Sequence, residues 1–278
     1  MTPASLSILI YHRVLARPDP LFPGEVDARL FERQLRLLRR FHAPLPLAEA
    51  VQRLRDGSLP PRAVAITFDD GYADNAQVAL PLLRRHALHA TFFIATGYLD
   101  GGQMWNDSVI EGVRHAPGAV LDLQAVGLGR LHVDTLARRQ AAIATLLGQL
   151  KYLPFAQRQQ LAMHIRRQAG ARPRPSAMLS TAQLRQLHAA GMGIGAHTVS
   201  HPILATLSER AARLDIANGK RQLEDALQAP VALFAYPNGK MGVDYGAPHV
   251  DIVRSLGVTA AVATDWGVAR PGAAADLL

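Results

Sequence analysis

Two groups of side chains have the types and spacing that hydrolytic chemistry needs. The first is Ala65-Ile66-Thr67-Phe68-Asp69-Asp70-Gly71, two adjacent carboxylates closing an apolar run. Successive residues of an extended chain point in opposite directions, so the two acids cannot share one task. One can bind a metal while the other faces a water. The second is Gly195-Ala196-His197-Thr198-Val199-Ser200-His201-Pro202, with two imidazoles four positions apart. That spacing converges on one cation from a helical turn or a tight loop, and neutral imidazole is a favoured zinc ligand. Each group alone has a plain structural reading: an Asp-Asp-Gly turn after a strand, and a pair of loop histidines in a chain with 11 of them. Taken together, Asp70, His197 and His201 form a two-histidine, one-carboxylate set with an open position, which suits zinc hydrolysis. Cobalt, nickel, manganese or non-haem iron fits the same set, iron pointing instead to oxygenase-like chemistry.

For these groups to meet, they must emerge on one face of a scaffold. Short apolar or β-branched runs at 7–11, 63–68, 90–95, 192–196, 232–236 and 259–263 read as buried strands. Helical periodicity fills 27–41, 47–55, 74–86, 181–190 and 209–227, the last with Ser208 as its N-cap. This alternation implies a mainly parallel sheet, covered as in a barrel or doubly wound fold, with ligands at the carboxyl ends of the strands. Two further strand ends then join the same face: Tyr11-His12-Arg13 brings a third histidine, and Tyr236-Pro237-Asn238-Gly239 brings a turn. The rhythm breaks over 101–175, which reads as a helical insertion without domain status of its own. It holds helices at 135–150 and 156–169 and ends in the stiff Arg172-Pro173-Arg174-Pro175 connection.

Composition narrows the classes. The chain has 278 residues, 49% of them hydrophobic and 19% charged, with no cysteine; its mean hydropathy is +0.06. These values fit a globular chain and exclude thiolate, iron–sulfur and cysteine-zinc chemistry. The formal charge is +8, but only three of the 30 basic residues are lysines and the arginines are scattered. With 6% aromatics and no basic-aromatic interleaving, nucleic acid is not an expected partner. The N-terminus, MTPASLSILIYHRV, lacks a basic region followed by a long apolar one, and no run of about 18 apolar residues occurs. The expectation is therefore a cytoplasmic protein with no stable membrane insertion.

From Tyr11-His12-Arg13 to Trp266 the chain resembles the polysaccharide deacetylases of carbohydrate esterase family 4, the NodB-homology proteins. Thr67-Phe68-Asp69-Asp70-Gly71 is similar to that family's first motif, and His197-Thr198-Val199-Ser200-His201-Pro202 to its second. The opening Tyr-His resembles the permuted, exopolysaccharide-type branch. The resemblance implies that Asp70, His197 and His201 hold the metal, Asp69 is the general base and His12 the general acid. It places the backbone N–H of Asn238, in the Tyr236-Pro237-Asn238 turn, at the oxyanion, and Trp266 in the wall of the acetyl pocket. In this chain Ala235 stands where the family's third motif has arginine, and Asn238 where it has tyrosine. Another residue, such as an arginine elsewhere, therefore has to orient Asp69. Trp105, followed by Asn106 and Asp107, either stacks on a sugar or forms a hydrophobic staple with Asn106 or Asp107 as helix cap.

The resulting expectation is a single NodB-like domain over 1–278, a distorted (β/α) barrel with fewer than eight parallel strands. It would hydrolyse N-acetyl groups of an amino-sugar polysaccharide or its precursor with a divalent metal, Zn²⁺ first. The alternatives are an O-acetyl esterase on a glycan and a catalytically inactive, metal-dependent glycan-binding protein.

Overall fold

The computed structural model describes residues 5–170 and 177–270. Among them the strands, in chain order, are β1 (Leu6–Tyr11), β2 (Ala43–Pro44), β3 (Ala63–Phe68), β4 (Thr91–Ile94), β5 (Val120–Leu123), β6 (Gly129–His132), β7 (Gly193–Ala196), β8 (Leu233–Ala235) and β9 (Ala260–Val262). The helices are α1 (Ala28–Phe41), α2 (Leu47–Arg55), α3 (Leu80–Arg85), α4 (Trp105–His115), α5 (Leu136–Leu150), α6 (Phe155–Gln168), α7 (Thr181–Ala189), α8 (Glu209–Leu227) and α9 (Ala247–Ser255). The chain divides into two compact units. One comprises Met1–Arg17, Val26–Asp100 and Met178–Leu278, and the other Pro18–Glu25 with Gly101–Ala177.

The first unit is built on one parallel sheet in the order β1-β3-β4-β7-β8-β9, with the two-residue β2 also pairing with the start of β3. β1 and β3 run in register from Leu6 opposite Ala63 to Tyr11 opposite Phe68. β1 and β9 do not pair with each other, so the sheet curls into a half-barrel whose seam stays open. At the amino end of β1, an antiparallel bridge ties Leu6 to Ala269 through two backbone hydrogen bonds of 2.9 Å.

Strand alternation sorts the side chains into two cores. Leu6, Ala63, Ala65, Phe93, Leu233, Ala235, Ala260 and Val262 pack together with Leu47, Ala50, Val51 and Leu54 of α2. Val64, Ile66, Phe68, Phe92, Ile94, Ile194 and Phe234 face the other way, against Phe31 and Leu35 of α1, Leu83 of α3, Leu184 of α7, Ile216 of α8 and Ile252 of α9. The inner lining uses small residues because Phe93 fills the space: a Cβ on Gly195 would lie 2.3 Å from its ring.

The second unit has its own core, in which Trp105, Val109 and Val113 of α4 meet Ile143 and Leu146 of α5, Ile165 of α6 and Leu121 and Leu123 of the β5–β6 hairpin. Gly112 lets α4 approach α6, since a Cβ there would sit 2.8 Å from Ile165 Cγ2. The sequence reading gave this insertion no domain status; the structure gives it a separate core. The expected helices at 135–150 and 156–169 correspond to α5 and α6, and the Arg172 to Pro175 connection lies outside the described residues. Neither Asn106 nor Asp107 caps α4, which starts at Trp105 with Met104 as N-cap and no side-chain cap bond.

The single helix expected over 74–86 is split in two. Asn75–Ala79 is a π-turn in which the Leu80 N–H donates to the Asn75 carbonyl, and α3 follows. Pro81 has no N–H to continue the ladder, and the register slips just before it. No helix among the described residues is long and apolar enough to cross a membrane.

Candidate metal centre

All the site's loops leave the carboxyl ends of parallel strands in the first unit. At the end of β3 the Asp69 N–H donates to the Tyr11 carbonyl at 2.9 Å, which continues the β1–β3 ladder one step. The chain then reverses through Asp70 (φ 73°) and Gly71 (φ 87°), both left-handed. This reversal turns Asp70 aside from the strand alternation and towards the next loop. Aspartate tolerates the left-handed region better than most residues, and glycine tolerates it freely.

The β7 loop holds the two histidines. His197 is 1% exposed, and its Nδ1 lies 2.8 Å from the Ala235 carbonyl of β8. A carbonyl can only accept, so Nδ1 carries the proton and Nε2 is left as a lone-pair donor. His201 is carried round by a turn in which its N–H donates to Thr198 Oγ1 at 3.0 Å, with both residues at positive φ (67° at Thr198, 50° at His201). Asp215 of α8 fixes the loop by accepting from the N–H groups of Val199 (2.7 Å) and Ser200 (3.2 Å) and from Ser200 Oγ (2.7 Å). Gly219, one turn further along α8, lies so close to Thr198 that a Cβ would meet its carbonyl carbon at 2.6 Å.

The three expected ligands do converge. Asp70 Oδ1 is 3.3 Å from His201 Nε2 and 3.6 Å from His197 Nε2. One ligand atom from each residue falls within 4.8 Å of the others. Tetrahedral ligands at zinc–ligand lengths of about 2.0–2.2 Å are about 3.3–3.6 Å apart, which is the spacing between Asp70 Oδ1 and each histidine. Asp70 Oδ1 is buried and accepts no hydrogen bond. A buried carboxylate oxygen left in that state costs free energy unless something cationic meets it. Burial, and then the neighbouring His201, push the His197 imidazole down to about 3, so it stays neutral as a ligand must.

Asp69 lies beside this group, 5% exposed, with Oδ1 lacking a hydrogen-bond partner. Burial drives its carboxyl up to about 7; His12 pulls the value down and Asp70 pushes it up. No arginine among the described residues acts on Asp69; the basic side chain that does is His12. His12 is exposed, and its carbonyl accepts from Asn75 Nδ2 at 3.0 Å. Asp74 secures the following residues through Arg13 Nε (2.8 Å) and the Val14 N–H (3.3 Å).

Asp69 lines a cavity of about 530 Å³ along the open seam, walled by β1 residues including Ile8 and Ile10, by Gln34 of α1, and by Ala263 to Gly267 after β9. Trp266 stands at this cavity and is fully exposed. Asn238 (φ 62°) and Gly239 (φ 73°) form the expected turn, pinned because the Thr264 N–H donates to the Gly239 carbonyl at 3.0 Å and Thr264 Oγ1 to the Asn238 carbonyl at 2.7 Å. Pro237 is buried within that turn.

Tyr236 is among the residues lining the seam cavity, while its ring packs on the outer side of the sheet, stacked 3.8 Å from Tyr245, because strand alternation turns it away from Ala235. Trp105 is 8% exposed in the second unit's core, with the Arg158 guanidinium 5.0 Å above its ring, so its apolar surface is spent in packing. Asp215, Asp74 and Asn75 were not singled out from sequence. Polar residues in helical stretches read as solvent-facing, and only the fold turns these three onto loop backbone.

Comparison with known proteins agrees with this geometry. The family model described as polysaccharide deacetylase matches residues 56–261. The Bacillus subtilis (strain 168) protein YxkH, named for the same family, is 32% identical over 94 residues, 33% of this chain and 32% of that protein's length. Among solved structures, the Streptococcus pyogenes deacetylase PplD in complex with acetate superposes with a TM-score of 0.65 at 21% identity, over 99% of this chain and 91% of that one. IcaB from Ammonifex degensii gives 0.64 at 22% identity, over 99% and 89%. At these identities the two structures speak for the fold, which is the distorted half-barrel with surrounding helices. The match over residues 56–261, most of the chain and spanning the carboxylate pair and the two histidines, makes this chain a member of the polysaccharide deacetylase family.

Proposed function

We propose that the protein is a metal-dependent deacetylase that hydrolyses N-acetyl groups of an amino-sugar polysaccharide or its precursor. The observation that carries this reading is the orphaned Asp70 Oδ1 facing two imidazole nitrogens, with a second buried acid beside it. Asp70, His197 and His201 would hold the cation, zinc first, with cobalt, nickel and manganese suited to the same donors. A divalent cation bound there supplies Lewis acidity, polarising an acetyl carbonyl and making a nearby water easier to deprotonate.

Asp69 takes the proton from the attacking water. Its burial raises its basicity, and its Oδ1 has no competing donor. The left-handed turn at Asn238 presents a backbone N–H to the developing oxyanion. His12, close enough to act on Asp69, gives a proton to the departing sugar amine. Trp266 and the seam cavity accommodate the saccharide. In the assay, protein loaded with Zn²⁺ or Co²⁺ releases acetate from N-acetylglucosamine oligomers; Asp69→Asn abolishes release while keeping the metal. Full activity in that variant would remove Asp69 as base.

The exposure of His12 favours one further reading, an O-acetyl esterase, because an ester's alkoxide leaves with less help from an acid. His12→Ala separates the two: amide cleavage collapses, whereas ester cleavage persists in part.

A further inference from the structure

α1 carries two parallel stripes that the hydrolytic site does not use. Leu30, Gln34, Leu37 and Phe41 recur at i, i+4, i+7 and i+11, and so do Arg29, Arg33, Arg36 and Arg40 one position earlier. Each set therefore forms one line along the helix. The core-facing side is a third line, Phe31, Leu35 and Leu38. Leu30, Leu37 and Phe41 are 43%, 47% and 45% exposed, although large apolar side chains on a paired helix would be covered. All four arginines are exposed, and among the described residues none has an ion pair or hydrogen bond within bonding distance; Arg40 lies 5.2 Å over the Phe41 ring of the apolar stripe, and Arg36 acts on Glu32 only through its field. The helix's one acid, Glu32, is engaged by Arg85 and His86. The apolar stripe passes through Gln34, which lines the cavity that holds Asp69 and hydrogen-bonds Tyr11 at 3.1 Å.

We infer that this face of α1 docks the protein onto an anionic phospholipid surface, with Leu30, Leu37 and Phe41 entering the headgroup boundary and Arg29, Arg33, Arg36 and Arg40 meeting phosphates. Exposed leucine and phenylalanine beside a line of arginines is the pattern of a helix lying in a membrane interface. Charge decides the occupant. A second copy of this chain would set arginine against arginine, and nucleic acid would leave three large apolar side chains unused. A protein partner would need to bring four carboxylates to fixed positions, whereas an anionic leaflet supplies phosphates everywhere. α8 shows the contrast: its Arg210, Arg213 and Arg221 are interspersed with Glu209, Asp215, Glu224 and Asp225. Docking through α1 would hold the seam cavity beside the lipid surface. The vesicle assay needs no substrate, so its result is independent of the hydrolase reading.

The test is sedimentation of the full chain with vesicles of phosphatidylcholine alone and with one third phosphatidylglycerol. Binding is expected only to the anionic vesicles, weakening as salt rises past about 0.1 M. Each arginine facing the leaflet is worth about fivefold in partitioning, so Arg33→Gln with Arg36→Gln lowers binding about twenty-fivefold. Leu30→Ser with Leu37→Ser and Phe41→Ser lowers it at least tenfold with an unchanged melting temperature, the side chains being exposed. The charge-matched control, Arg210→Gln with Arg221→Gln, binds like the parent. Equal loss in the control overturns the assignment, because general basicity would then explain binding. So does retention by the serine variant together with equal binding of a double-stranded oligonucleotide, which would make the arginines a nucleic-acid face. A dimer mass that the serine variant abolishes, without vesicle binding, overturns it in favour of a second copy.

Discussion

Asp70 has the most unusual environment of any single side chain in the site. It is 4% exposed, sits at positive φ, and keeps an oxygen that nothing donates to. In the metal-free protein these features cost stability, and with a cation they become a ligand already in position. Asp70→Asn separates the two effects, because asparagine keeps the shape and accepts the left-handed backbone. Without metal the variant should melt at the parent's temperature or a few degrees above it. Saturating Zn²⁺ should raise the parent by about 2–3 kcal/mol at a hundredfold excess over Kd and leave the variant nearly unmoved. Calorimetric scans with and without metal read both arms; equal stabilisation of the two proteins would remove Asp70 from the ligand set.

Among the elements, α8 determines how well the histidine loop is held. Gly219→Ala places a methyl group 2.6 Å from the Thr198 carbonyl carbon, so either the helix or the loop must move. Overpacking of this kind costs about 1–3 kcal/mol. Because the displaced segment carries both imidazoles, metal affinity should fall at least tenfold, measured by chelator competition, alongside that loss of stability. α7 is fixed differently. The Thr181 N–H and hydroxyl donate to the Asp100 carboxylate at 2.8 and 2.5 Å, which holds the Asp100 carboxyl below its ordinary value. With the folded-state pKa lowered, the contribution is present above about pH 4 and fades as the pH falls through the folded value. Asp100→Ala should thus lower the melting temperature by a few degrees at pH 7 and by less as the pH falls through the folded-state value.

Long apolar runs made β3 and the longer helices readable, and strand-end logic brought His12, Asp69, His197 and Asn238 to one side. The two-residue β2 carries too few side chains for a period, and the nine-residue α9 opens on Gly246 with Pro248 in its first turn, which reads as loop. Tyr236 borders the seam cavity, but its ring packs against Tyr245, because a motif position does not say which face of a strand a side chain takes. Trp105 went to packing because an insertion of this length can close a core of its own.

For the molecule as a whole, two units with separate cores mean two places to lose stability. Leu146 is fully buried in the second unit's core, and Leu146→Ala should cost about 2–5 kcal/mol. Hydrogen exchange should then rise across 105–168 while amides of β3 and β7 keep the parent's protection; uniform loss would show that the units unfold as one. The open seam acts on the chain in another way. Among the described residues, β1 is paired along one edge to β3 and tied on the other only at Leu6. Its sequence, Leu-Ser-Ile-Leu-Ile-Tyr, is uncharged and rich in strand formers. The border that opens onto the seam cavity is thus also the edge on which a loosened chain can recruit another of its kind, so turbidity on warming should start there and grow with concentration. A charge at Ser7, as in Ser7→Lys, should delay it while acetate release continues, a sign that solubility in this architecture is limited by one unguarded border.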